Sequence, residues 1–288
     1  MTTTVFLAVL LAAALHATWN AMVKGSGDKA LAMLLLVAGQ GAAGALALLF
    51  APPLDAAALP FLLATTALHC GYQIFLVQAY RTGDLTQVYP IARGSAPLMV
   101  ALISAVFLGV TLPQTAWLAV ALIGGGIVSL ALTRREEGLN EPGARNPKAV
   151  MLALATGGFI TAYSLVDGYG ARAGGTGVGF FAWAALLNVP TYATWVMLSE
   201  RAVFARVTRP AIVGGAMAGM ASFAAYAIVV WAFTQAPIAL VTALRETSIV
   251  FSLLIGVFVL REKLDLAKLA STATTLAGVA LLRFARPS

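Results

Sequence analysis

Charge is what this chain has least of. Only 10% of its 288 residues are Asp, Glu, Lys or Arg, and 60% are hydrophobic, whereas soluble domains carry roughly 25% charged residues. Such a composition lacks the polar surface needed to cover a water-soluble particle, so the implied solvent is lipid. A lone cysteine, Cys70, excludes an intramolecular disulfide and suits a small buried apolar position. Two histidines, with no HExxH, no GxSxG and no glycine-rich phosphate loop, leave an intramembrane enzyme without a ligand set or a nucleophile and base. We expect a protein that is not an enzyme and uses no metal or cofactor. The net charge of +7 comes without basic runs interleaved with aromatics. That pattern argues against nucleic acid and fits loop residues facing anionic headgroups.

What is abundant is long apolar runs. A helix needs about 20 apolar residues to cross the ~30 Å hydrocarbon core. Runs of that kind fall at 4–23, 30–51, 58–80, 85–109, 113–133, 149–167, 177–198, 210–233, 237–260 and 265–284. The first lacks a basic segment before it and continues to Val23, so it reads as a membrane helix and not as a signal peptide. One long polar connector, RREEGLNEPGARNPK at 134–148, divides the ten runs five and five. The expected organisation is a first five-helix unit at 1–133, a linker at 134–148 and a second five-helix unit at 149–288.

The two halves resemble each other. With a shift of 152 residues, 89–112 lies on 241–264, so that Arg93 falls on Arg245, Ser95 on Thr247 and Leu108 on Leu260. Five helices per copy is an odd number, so two such copies insert with opposite orientation. Loop charge agrees: the first half's four loops hold two, zero, one and zero Lys or Arg, the second half's one, three, zero and two. That reversal is what an inverted repeat requires. Loops after odd-numbered spans hold 12 basic residues, against two elsewhere outside the spans. The positive-inside rule then places odd loops in the cytoplasm and both termini outside. We expect an all-α integral membrane protein of ten helices in two inverted five-helix repeats around a central cavity, multi-pass in the inner (plasma) membrane and monomeric.

Three stretches carry a family resemblance: LHATWNAMVK in the first span, YPIARGSAPLMVAL in the fourth, and ALRETSIVFSLLIG with LREKL in the ninth. With the five-plus-five layout they resemble the EamA branch of the drug/metabolite transporter superfamily, over almost the whole chain. Among its members, aromatic amino acid exporters of the YddG type are the nearest fit in size. The resemblance implies a transporter fold and export of amino acids, other metabolites or toxic cations. The turn after the fourth span, LGVTLP, lacks the acidic residue usual in that family, whereas the ninth-span counterpart keeps Glu262.

Polar residues inside lipid are expensive and face a protein or water-filled interior. Several spans carry them at helical spacing: His16, Trp19 and Asn20; His69, Tyr72 and Gln73; Tyr89 and Arg93; Tyr163 and Asp167; Arg245 and Glu246. These are the candidate substrate-binding residues. Plainer readings stand beside them. Tyr192, Trp195 and Trp231 fit interfacial aromatic belts. Asn20 and Gln73 fit bonds between helices, and the histidines fit packing. Lys24 fits a side chain reaching to the headgroups, and Asp167 fits the start of a loop. Gly215 and Gly219 have the spacing of close helix packing.

Arg93, Arg245 and Glu246 are harder to dismiss. Both arginines lie eight residues into their spans, about 12 Å deep at ~1.5 Å per residue. A charge there costs at least ~2.5–3.5 kcal/mol before a partner is found. Neighbours on a regular helix do not face each other, so Glu246 should look to a cation other than Arg245, with Arg93 the candidate. An aromatic-lined centre with such charges suits a small zwitterion, its carboxylate on Arg or His and its ammonium on Glu or a ring face. The expected function is export of amino acids, aromatic ones included, by alternating access. The alternative is efflux of lipophilic cations resting on Glu246 or Asp167.

Overall fold

The computed structural model describes residues 1–24, 26–82, 85–133, 147–258 and 266–284. Glu262 and most of the 134–148 linker lie outside these residues, as do the side chains of Lys24 and Tyr89. The order is α1 (Thr3–Lys24), α2 (Lys29–Leu48), α3 (Leu59–Thr82), α4 (Leu85–Phe107), α5 (Gln114–Thr133), α6 (Pro147–Ala173), α7 (Gly177–Glu200), α8 (Arg209–Gln235), α9 (Ile238–Arg245), α10 (Ser248–Phe258) and α11 (Leu266–Phe284). Short 3₁₀ helices, Ala56–Ala58 and Arg201–Arg206, precede α3 and follow α7.

Every element among the described residues is helical, and six helices are long and apolar enough to cross a membrane. Burial is turned inside out relative to a soluble protein. Leu49, Phe50, Leu63, Phe107 and Leu198 are exposed, while Arg93, Asp167, Arg245 and Glu246 are buried. Water would not favour that distribution, and a bilayer does. This is an all-α membrane protein.

The helices start where the sequence offers caps. Asp28 accepts from the Leu31 amide at the start of α2, and Thr176 and Thr208 do the same for Gly179 and Ala211 at α7 and α8. Each bond satisfies one of the four orphan amides at a helix start.

Packing follows small residues. A Cβ built on Gly219 would lie 2.6 Å from the Gly39 Cα and 2.5 Å from the Leu36 carbonyl oxygen, so the α2 and α8 backbones touch directly. The glycine spacing in α8 is therefore a packing device, as expected. Elsewhere α3 packs along α6, and α8 along α1. Helix α4 packs on α6, while α9 and α10 pack on α1. The pairs α2–α7, α5–α11, α4–α5 and α4–α9 also pack together.

Two sequence expectations are corrected here. The run 149–167 was to end at Asp167, but α6 continues to Ala173, leaving Asp167 inside the helix and 0% exposed. The residues beyond it, Gly168 to Ala173, still hydrogen-bond as helix and pack on neighbours that no hydropathy run reveals. The ninth run, 237–260, is two helices and not one. Around the break the amides of Glu246, Thr247, Ile249 and Val250 bond three residues back, in 3₁₀ fashion, to Ala243, Leu244, Glu246 and Thr247. The Thr247 hydroxyl adds a 2.8 Å bond to the Leu244 carbonyl, an alternative to the regular ladder of the kind that Thr readily offers.

Candidate functional site

The break in the ninth run falls at the two charges that sequence spacing singled out. The Arg93 Nε on α4 donates to Glu246 Oε2 at 2.9 Å, with the two side chains 3% and 0% exposed. This is the cross-half pair that the cost of a buried charge demands. Arg245 Nε also reaches Glu246, at Oε1 and at the longer distance of 3.4 Å. That contact corrects the expectation that neighbours in sequence stay apart, since the tighter turn at Glu246 lets the two side chains converge.

A second polar cluster sits beside the first. Asp167 on α6 accepts from the Thr65 hydroxyl at Oδ1, and its Oδ2 receives Tyr226 OH at 2.7 Å and contacts His69 Nε2 at 3.0 Å. Tyr226 joins the two clusters, because the Arg245 guanidinium carbon lies 5.7 Å from its ring centroid, within cation–π range. Tyr163 stacks on His69 with centroids 4.3 Å apart and meets Tyr72 and Tyr226 edge-on. The centre is thus a relay from Arg93 through Glu246, Arg245, Tyr226 and Asp167 to His69, ringed by tyrosines.

The other predicted residues divide. His16 lies edge-on to Trp19, with centroids 4.8 Å apart. Trp19 and Gln73 are buried, and the Trp19 Nε1 and Gln73 Oε1 have no partner among the described residues. Asn20 donates to the His16 carbonyl of its own helix, at 2.9 Å. Tyr72 packs with the central tyrosines. Tyr89 is in α4, one turn before Arg93, but its side chain lies outside the described residues. Of the belt residues, Tyr192 is wholly buried and stacks on Trp195, so it does not face lipid.

Three participants escaped the sequence reading. Thr65 holds Asp167 from one turn before His69, a spacing that could have found it. Gln40 donates to Ser222 at 2.9 Å, linking α2 to α8. Arg172 donates to the carbonyls of Phe233, at 2.9 and 2.7 Å, and Ala236, at 3.1 Å, capping the end of α8. Beside it opens a cleft of about 370 Å³ lined by Ser104, Tyr169, Arg172, Thr234 and the Ala236–Ala239 segment. None of the predicted site residues lines that cleft.

No family model matches the chain, and no curated protein matches it in sequence. It is similar to a protein of known crystal structure, with a TM-score of 0.77 at 19% identity over 98% of this chain and 96% of that one. The likeness spans the whole molecule. At that identity it shows a common fold and nothing of the chemistry.

Proposed function

We propose that this protein is a membrane transporter for small metabolites, foremost amino acids including aromatic ones, working by alternating access. One observation carries the reading: the buried Arg93–Glu246 pair ties α4 to the break in the ninth run, beside a ring of tyrosines. A membrane protein that only needed to hold its helices together would be at least as stable with apolar residues there. Discontinuous helices meeting at a polar centre are, by contrast, the usual construction of solute sites in transporters.

The same reading takes the fold as ten spans in two inverted five-helix repeats of the drug/metabolite transporter type. The packing supports it. Counting α9 and α10 together as the ninth span and α11 as the tenth, a shift of five exchanges α3–α6 with α8–α1. It likewise exchanges α4–α6 with the packing of α9 and α10 on α1, and returns α2–α7 and α5–α11 to themselves. With the odd loops carrying most of the basic residues, the termini lie on the outer face of the plasma membrane.

The test is counterflow in proteoliposomes with labelled neutral and aromatic amino acids. Exchange of several of them, with little selectivity, is expected, because rings and amides make weak contacts with many partners. Glu246→Gln should fold yet lose most of that exchange. Transport of a lipophilic cation with no amino acid exchange would replace this reading with the efflux one.

A further inference from the structure

The segment that breaks at Glu246 carries a row of unmet hydrogen-bond donors. Thr242, Arg245 and Ser248 are spaced three residues apart and are 0%, 2% and 0% exposed. Thr242 Oγ1, Arg245 Nη2 and Ser248 Oγ have no partner among the described residues. Residues three apart share a helix face, and in 3₁₀ geometry they eclipse. The 3₁₀ bonds of the Glu246, Thr247, Ile249 and Val250 amides tighten the turn around Ser248, which favours its alignment with Arg245.

Such groups do not go unpaired without reason. Buried hydroxyls of Ser and Thr usually bond a carbonyl of their own helix, as Thr66, Thr156 and Thr161 do here. Thr242 and Ser248 do not. Arg245 is also the less satisfied partner of Glu246, at 3.4 Å against 2.9 Å for Arg93. Both carboxylates of the centre are meanwhile occupied. Glu246 takes two guanidiniums, and Asp167 contacts two hydroxyls and an imidazole. What the centre offers to a newcomer is donors with positive charge, not a bare carboxylate.

We infer that Thr242, Arg245 and Ser248 form a carboxylate-binding face, presented to the solute when the helices around the break part. This rests on the reading of the buried centre as the solute site and narrows the solute to molecules bearing a carboxylate, for which an ammonium group is dispensable. In the conformation described the three donors are sealed from solvent. A carboxylate has two oxygens with four acceptor positions, enough for a guanidinium N–H and a hydroxyl on either side. Tyr226, next to Arg245, and Tyr163, edge-on to Tyr226, place an aromatic body beside that anion.

The experiment is calorimetric titration of the purified protein in detergent with 3-phenylpropionate and, separately, phenethylamine. The acid should bind and the amine should not. Arg245→Lys, Thr242→Val and Ser248→Ala should each weaken the acid by about tenfold, the scale of one hydrogen bond to a charged group. Thr242→Val has a second readout: removing an unmet hydroxyl should raise the unfolding temperature while affinity falls. A purely structural residue would not show that split. Binding of the amine but not the acid, binding of neither, or acid binding unchanged in all three donor variants would overturn the inference. Labelled amino acid flux is scored separately. Acid binding without flux removes the transporter reading and keeps this one; flux with preference for the amine does the reverse.

Discussion

Removing Glu246 should harm the fold more than removing either of its partners, and the structure says by how much. Glu246→Ala leaves the Arg93 and Arg245 Nε groups without the carboxylate they share at 2.9 and 3.4 Å. Breaking a buried pair from one side costs about 3–5 kcal/mol, since the remaining charge stays out of water. Arg93→Ala is milder, because Glu246 keeps Arg245. It forfeits the charged hydrogen bond to Glu246, about 1.5–3 kcal/mol. The double variant removes both ends of the shorter bond, so its cost should fall below the sum of the single costs by roughly 1–3 kcal/mol. Chemical unfolding of the four proteins in the same micelles, followed by circular dichroism, measures each term. Additivity within about 0.5 kcal/mol, or a larger loss for Arg93→Ala than for Glu246→Ala, would refute the claim that Glu246 is shared.

Asp167→Asn presents one acceptor oxygen where the carboxylate has two, against contacts from Thr65, His69 and Tyr226; about 1–3 kcal/mol for each group left unpaired should appear as a lower unfolding temperature. Gly219→Ala would drive a methyl into the α2 backbone and should cost about 1–3 kcal/mol by overpacking, whereas Gly214→Ala, with open space around it, should be tolerated in the same assay. A carboxy-terminal alkaline phosphatase fusion should be active and a green fluorescent protein fusion dark; the reverse pattern would invert the orientation drawn from loop charge and leave the repeat untouched.

Sequence alone decided the solvent and the helical class, and singled out three charges that the fold buries together. Apolar runs of about 20 residues allow nothing in lipid but helices, because every backbone group must find its partner within the segment. The rarity of charge made Arg93, Arg245 and Glu246 conspicuous, and the expense of burying them predicted the bond between Arg93 and Glu246. Those inferences need only composition and the 3.6-residue period. The break at Glu246, the depth of Asp167 within α6 and the row formed by Thr242, Arg245 and Ser248 needed the tertiary structure. Each depends on which neighbours compete for a given hydrogen bond, and those neighbours lie on helices far away in the chain. Thr65 shows where the limit falls. Its place one turn before His69 is written in the sequence, but the carboxylate it holds is 102 residues away, and only the packing of α3 against α6 brings them together.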